Sequence, residues 1–264
     1  MVTVANEAKF SIDALNKDIE QFTQVHPITE DMHITHKGVS RLVMLDRYAF
    51  KDTAKKTLKV GDFVVLTVKE DPKFPARGLG VIQTIDWAKK KATVMVEEEF
   101  HGVLEGAEQG GLVVRSLDVI EKPLEIYYEQ IAKRNATGLA SVEKTEEART
   151  YWFTKFYEQL KDMKFVPAGR VLYGAGSQTE VTFFNCYVMP FVPDSRGGIS
   201  EHRKQVMEIM SRGGGVGTNG STLRPRNTLA RGVNGKSSGS VSWLDDIAKL
   251  THLVEQGGSR RGKI

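Results

Sequence analysis

Apolar and polar positions alternate with three different rhythms along the chain. The first stretch, residues 1–27, is polar, with a helical spacing from Ile12 to Phe22 that predicts an N-terminal arm or first helix. From about Ile28 to Gly102 the rhythm shortens. Phe63–Val68, Gly80–Ile85 and Ala92–Val96 are rich in β-branched residues, and Asp86–Lys91 forms a polar turn between the last two. Short strands this close together predict a small antiparallel β-barrel-like module over 28–115, with Pro72 and Pro75 confined to a connecting loop.

After Gly110-Gly111 the spacing becomes helical. One helix is expected over Leu124–Val142, with Pro123 in its first turn, and a second over Thr145–Met163. Trp152, Phe153, Phe156, Leu160 and Met163 share one face of that second helix. Val181–Met189 reads as a strand apolar on both faces, hence buried. A helix over Ser200–Ser211 follows, with Val206, Ile209 and Met210 inward, then the glycine segment Gly213–Gly217 and a polar loop over 220–239. A last helix spans Val241–Glu255, where Ser242 and Asp245 have capping-box spacing. Alternating strands and helices over 116–264 predict an α/β segment with parallel pairing.

Composition adds bounds. The 264 residues are 40% hydrophobic and 27% charged, which suits a globular protein. No apolar run reaches the ~20 residues of a membrane span, and Met1–Asn16 lacks the apolar core of a secretory signal, so a cytoplasmic location is expected. The net charge is +4, and its placement matters more than its size. Ile209–Leu244 holds no Asp or Glu but contains Arg212, Arg224, Arg226, Arg231 and Lys236. A positive window rich in Gly and Ser suits a polyphosphate ligand, or equally a solvated loop face.

Candidate chemistry is sparse. Cys186 is the single cysteine, which excludes an internal disulfide and a Cys-rich zinc site. The six histidines show no metal-ligand spacing (His33 and His36 flank residues read as strand), so no metal is expected. A lone Cys in an apolar strand is by default a packing residue. Here, however, it is followed by Asp194-Ser195, a helix and the acid-free glycine window, which is an active-site layout that packing does not require. Gly213–Gly217 fits neither a P-loop nor a dinucleotide fingerprint. Gln256–Gly262 taken alone is a helix stop with a basic tail.

Taken in order, these pieces resemble one family. Phe165–Leu172, Phe184–Pro190, Asp194–Ile199, Met210–Gly217, Thr222–Arg226, Gly232–Gly239 and Glu255–Gly262 are similar to the segments of class II, adenosylcobalamin-dependent ribonucleotide reductases. Leu45–Tyr48 and Asp71–Pro75 resemble the N-terminal extension of some members. The resemblance implies part of a ten-stranded α/β barrel behind a small β-rich module. It also implies reduction of ribonucleotides to deoxyribonucleotides by a thiyl-radical mechanism.

Residue by residue, the resemblance makes Cys186, on the first barrel strand, one of two thiols that reduce the ribose and end as a disulfide. Ala168, Gly169, Arg170, Val171, Asn185, Gly213, Gly214, Gly215, Val216 and Gly217 would line the substrate nucleotide. Asp194 and Ser195 would hold the ribose of a dNTP or ATP effector. Arg224, Arg226 and Arg231 would meet its phosphates, and Gln256, Ser259 and Arg260 would form the loop linking effector to substrate. The implied partners are a thioredoxin-like reductant, a second copy in a homodimer, and a complementary C-terminal segment. That segment would carry the second redox Cys, the radical Cys and most cobalamin contacts. Thr218-Asn219-Gly220, Asn227 and Lys263-Ile264 depart from the family pattern.

Two other readings compete. The chain could be a non-catalytic nucleotide-effector-binding or assembly subunit. The β module could bind nucleic acid, but Glu97–Glu99 interrupt its lysines and no aromatic stripe is present, which argues against that partner.

Overall fold

The computed structural model describes residues 7–33, 36–71, 75–106, 109–230, 232 and 234–254. They form two compact units, Met1–Gln178 and Thr179–Ile264. Among the described residues no helix is long and apolar enough to cross a membrane.

The first unit opens with α1 (Ile12–Ile19), capped where Ser11 Oγ accepts from Ala14 N, and α2 (Gly38–Arg47). A five-stranded antiparallel sheet follows, built from β1 (Phe63–Lys69), β2 (Ala76–Asp86), β3 (Lys91–Val96), β4 (Leu112–Ser116) and β5 (Ile120–Glu121), in the order β4-β3-β2-β1-β5. The register slips between Thr67 and Lys69, which is a bulge at Val68. Arg115 on the edge strand β4 donates to the carbonyls of Thr67 at 2.9 Å and Val68 at 3.0 Å on β1. One side chain thus curls the sheet toward a barrel where backbone pairing stops. Val64, Val65, Leu66, Leu79, Ile82 and Val94 fill the interior, all fully buried.

Helices α3 (Tyr128–Ala140) and α4 (Glu146–Lys161) form a hairpin against this core, and the short α5 (Gly169–Gly174) follows. The expected Pro123 start of α3 is corrected by the structure. Pro123 bridges Lys51 in β fashion, and the helix begins five residues later, where Gln130 Oε1 accepts from Ile126 N and Tyr127 N. The α4 start agrees with the sequence: Thr145 Oγ1 accepts from Ala148 N. Trp152 sits at the edge of the expected apolar face, 40% exposed and stacked on Phe156, while Leu160 is buried.

Two buried charge networks tie this unit together. Lys122 Nζ, 1% exposed, donates at 2.7 Å to both Asp18 and Asp62 and at 2.9 Å to the Thr57 carbonyl. Burial works to raise the Asp18 carboxyl, but hydrogen bonds and charge from Lys122 and Lys59 outweigh it and hold it below the ordinary value. Asp62, more deeply enclosed, is raised by burial despite sharing Lys122. The second network centres on Arg134, 1% exposed on α3. Its guanidinium forks onto Glu125 at 2.7 and 3.0 Å, and also donates to the carbonyls of Tyr48, Leu172, Tyr173 and Ala175. It therefore caps the carbonyl end of α5.

The second unit holds β6 (Cys186–Val188), α6 (Arg196–Ser211), β7 (Gly215–Gly217), β8 (Leu229–Ala230), β9 (Gly235–Lys236) and α7 (Ser240–Leu253). Strands β6 and β7 pair in parallel, and β8 and β9 form a small antiparallel hairpin inside the expected polar loop. Val206 and Met210 are fully buried against Met189, Val216 and Ile247. Four expectations change here. The Val181–Met189 strand contracts to three residues, and it is not buried: Cys186 is exposed and Val188 is 95% exposed. Helix α6 begins at Arg196, earlier than Ser200, because Ser195 caps it. Helix α7 is capped at Gly239 in a left-handed conformation, and Ser242 bonds the Ser238 carbonyl in place of a capping box. Ala248, expected on the buried side of α7, is exposed.

Candidate active and nucleotide-binding sites

Side chains of paired residues in a parallel ladder point to the same face. Cys186 pairs with Gly215, Tyr187 with Val216 and Val188 with Gly217. One face therefore carries Tyr187 and Val216, packed toward α6 and α7. The other carries the Cys186 thiol beside two residues without side chains. Gly215 N donates to Asn185 O at 2.8 Å, and Met189 N to Gly217 O at 2.9 Å, which fixes the ladder around the thiol. Gly214 is required at its position: a Cβ there would lie 2.7 Å from Ile209 Cγ2 and 2.8 Å from Tyr187 Cε2. Gly213, at φ +87°, makes the left-handed turn out of α6. The Tyr187 hydroxyl is hydrogen-bonded to Thr182 Oγ1, which locks the ring beneath the strand. The result is an exposed thiol at the edge of a flat, glycine-floored surface where a ligand can reach the backbone.

A second feature lies at the start of α6. A cavity of about 850 Å³ is lined by Asp194, Ser195, Arg196, Ile199, Arg224, Thr228, Lys236, Ser237, Ser238 and Trp243, among others. This is the size of a small-molecule site. Arg224 Nε donates to Asp194 Oδ2 at 2.7 Å, and its Nη2 to the Asp194 carbonyl at 3.2 Å. Ser195 Oγ accepts from Gly198 N at 3.0 Å. Ile199 and Leu223 are buried below, with Val192 and Trp243 packed against them. Positive side chains, hydroxyls and the amino end of a helix converge with one carboxylate, a set suited to the phosphates and sugar of a nucleotide.

The structure brings Asp194, Ser195 and Arg224 together, and separately brings Asn185, Cys186 and Gly213–Gly217 together. Arg226 does not line the cavity; its backbone and Cβ pack against Gly239. Ala168, Gly169, Arg170 and Val171 lie in the first unit. Ala168 O accepts from Val171 N and Leu172 N at the start of α5, and Gly169 rests against the Tyr48 ring. Arg231, Gln256, Ser259 and Arg260 lie outside the described residues, as do Ile34 and Thr35 and much of the Asp71–Pro75 motif.

Several site residues were not singled out from the sequence. Arg196, Thr228, Ser237, Ser238 and Trp243 line the cavity, and Lys236 had been noted only as a charge in the acid-free window. That window was the available signal, because a stretch free of carboxylates marked most of the lining. His202 was also missed. It is 4% exposed on α6, with Nε2 2.6 Å from Thr218 Oγ1, and burial holds its pKa below the usual imidazole value. It anchors the segment leaving β7.

Comparison with known proteins identifies the framework. The family described as the ribonucleotide reductase all-alpha domain matches residues 117–180, and the ribonucleotide reductase barrel domain matches 184–264. The chain belongs to the ribonucleotide reductase family. Its fold is α/β, with part of the reductase barrel preceded by a small β-rich module. It is 25% identical over 252 residues to the vitamin B12-dependent ribonucleoside-diphosphate reductase of Thermoplasma acidophilum, a match covering 92% of this chain and 30% of that protein. It is 29% identical over 131 residues to the ribonucleoside-diphosphate reductase subunit alpha of Chlamydia muridarum, covering 50% of this chain and 12% of that one. The large subunit from Caenorhabditis elegans is 23% identical over 226 residues, covering 81% and 27%. The chain thus spans at most about a third of these reductases.

Proposed function

We propose that this chain forms the leading part of an adenosylcobalamin-dependent ribonucleotide reductase, with Cys186 as one of the two thiols that reduce the ribose. The parallel register that sets an exposed thiol beside Gly215 and Gly217 carries this reading. A nucleotide laid on the glycine floor would bring its sugar to the sulfur, with the backbone of Asn185, Gly213, Gly214 and Val216 framing it, while the Val216 side chain is turned away into the core. In the reduction two thiols each give one electron and one proton, the 2′-hydroxyl leaves as water, and the sulfurs join as a disulfide. A thioredoxin-like dithiol restores them. The second thiol and the radical cysteine would come from a complementary segment, since Cys186 is the chain's only cysteine.

The described residues do not fit adenosylcobalamin by themselves. The cavity at Asp194, about 850 Å³, has the size of a site for a nucleotide-sized ligand rather than a corrinoid, with its charged and hydroxyl groups set against an apolar side at Ile199, Leu229 and Trp243, and no cluster of His, Cys, Asp and Glu suited to a metal forms among the described residues. Its contacts would lie mainly in the complementary segment, and the cofactor bound there would supply the initiating radical. The Asp194 cavity would take a dNTP or ATP effector. Asp194 and Ser195 would meet the ribose, and Arg224, with Arg226 and Arg231 nearby in sequence, the phosphates. Gln256, Ser259 and Arg260 would carry the effector's identity to the substrate. The expected setting is a cytoplasmic homodimer.

Co-expression with a companion chain carrying the rest of the barrel tests the proposal. With adenosylcobalamin, a dithiol and ribonucleotide, the pair should form deoxyribonucleotide; a folded pair that forms none overturns it. A non-catalytic effector-binding subunit is the second reading, favoured by the Asp194 cavity being built within one unit. A companion pair that binds dATP yet makes no product would select it.

A further inference from the structure

The hairpin joining β2 to β3 ends in a rigid tip that carries an uncovered indole beside three lysines. Asp86 pairs with Lys91 across the ladder, and Trp87, Ala88, Lys89 and Lys90 make the turn. Asp86 Oδ1 accepts from Lys89 N at 3.0 Å, and the Lys90 carbonyl accepts from Leu117 N at 2.9 Å, so the turn is pinned on both sides. Lys90 sits at φ +51°, a left-handed position that glycine or asparagine fills with less strain. Trp87 is 56% exposed. Lys89 reaches the Asp86 carboxylate at 3.4 Å, whereas Lys90 and Lys91 are exposed and make no ion pair among the described residues. The alternation of β3 turns Ala92 and Val94 into the core and leaves Lys91 and Thr93 on the outer face, where Thr84 and Val114 flank Thr93. Glu97–Glu99 follow the far end of β3, about 20 Å from Lys91, and Glu97 is held by Arg41 at 2.7 Å. These carboxylates and the tip lysines, close in the sequence, are thus separated in space.

We propose that this tip binds single-stranded nucleic acid, with the Trp87 indole stacked on a base and the lysines meeting the flanking phosphates. A base needs only an exposed flat face, and any base can supply its own π-face in return. Each base of a strand carries a phosphate close by on either side, which matches lysines set on both sides of one indole. A protein partner would need a pocket for a buried anchor side chain, and a convex turn offers none. In a duplex the base faces are covered by their neighbours, so the indole favours single strands. The threonines of the adjoining outer face extend the surface with hydroxyl groups. The site lies within the first unit and does not depend on the proposed reductase chemistry.

Fluorescence anisotropy of a labelled oligothymidylate of about fifteen nucleotides, titrated with the full chain, tests this. Binding should be micromolar at low salt and should weaken about seven- to twentyfold between about 50 and 200 mM salt, as expected for two or three phosphate contacts. Trp87→Ala should lower the affinity about tenfold, and Trp87→Phe, which keeps a flat ring, should recover most of it. Lys90→Asn suits the left-handed turn, so its loss of affinity reports charge alone; the slope of log K against log salt should shrink by about 0.7. A duplex of the same length should be indifferent to Trp87→Ala. Saturating dATP should not displace the oligomer, because the Asp194 cavity is a separate site. Circular dichroism confirms that each variant folds. No binding at low salt, full affinity in Trp87→Ala, or displacement by dATP would overturn the proposal.

Discussion

Replacing Arg134 should cost more stability than any other single change in the first unit. The guanidinium is buried and makes six hydrogen bonds, two to Glu125 and four to backbone carbonyls. Glu125 is itself fully buried and also accepts from Phe50 N at 2.8 Å. Arg134→Ala leaves that carboxylate charged and without its cation, which costs about 3–5 kcal/mol. The orphaned carbonyls add about 1 kcal/mol or more each where water cannot reach them. A loss of about 5 kcal/mol is expected if water enters the vacated space and satisfies most of the carbonyls, and more if it does not, so the melting temperature should fall by at least about 10–20 °C. Arg134→Lys keeps the charge but offers three donors for six acceptors, so it should recover only part of the loss. The double variant Glu125→Leu/Arg134→Met removes both charges and should be far more stable than Arg134→Ala. Urea unfolding followed by circular dichroism measures all three. If Arg134→Ala costs less than about 1 kcal/mol, the guanidinium does not hold α5 as described.

Other outcomes follow from the same geometry. Gly214→Ala should destabilise by about 1–3 kcal/mol, because its Cβ meets Ile209 and Tyr187 below 3 Å; an unchanged urea midpoint would show that the turn is not tight. His26 and His202 are both held below the usual imidazole value, chiefly by burial, so the unfolded chain binds more protons. Stability should therefore fall as pH drops through the window below the ordinary value of 6.5, and His202→Asn should flatten part of that slope. A flat profile from pH 7.5 to 5.5 would contradict the assignment. Arg224→Ala should weaken dATP binding at least tenfold by calorimetry, whereas Arg226→Ala should change it less, since of these two only Arg224 lines the cavity; equal effects would place the phosphates elsewhere.

The sequence was most informative where a signal is local. Thr145 announces α4 because its side chain replaces a backbone partner within three residues, and β1, β2 and β3 follow from β-branched runs. It failed where a tertiary partner decides. Pro123 looked like a helix start because its β bridge to Lys51 is invisible to local pattern. Nothing local marks Arg134 and Lys122 as buried, yet each is enclosed by acceptors distant in the chain. Helix α2 was hidden inside a stretch whose neighbours are strands. The apolar run around Cys186 suggested burial, but Phe184, Cys186 and Val188 face outward. The candidate site stood out in the sequence through its chemistry, as a thiol, glycines and an acid-free window in order. The apolar side of the cavity at Trp243 was not, because an aromatic on an amphipathic helix looks like any other core residue.

Thiol accounting after a single turnover tests the central claim most directly. The reconstituted pair, given adenosylcobalamin and ribonucleotide but no external reductant, should yield about one deoxyribonucleotide per pair. Cys186 should then be found in a disulfide with a cysteine of the companion chain, and Cys186→Ser should give no product. Product formed while Cys186 stays a free thiol, or formed equally well by Cys186→Ser, would contradict its role as a reducing thiol.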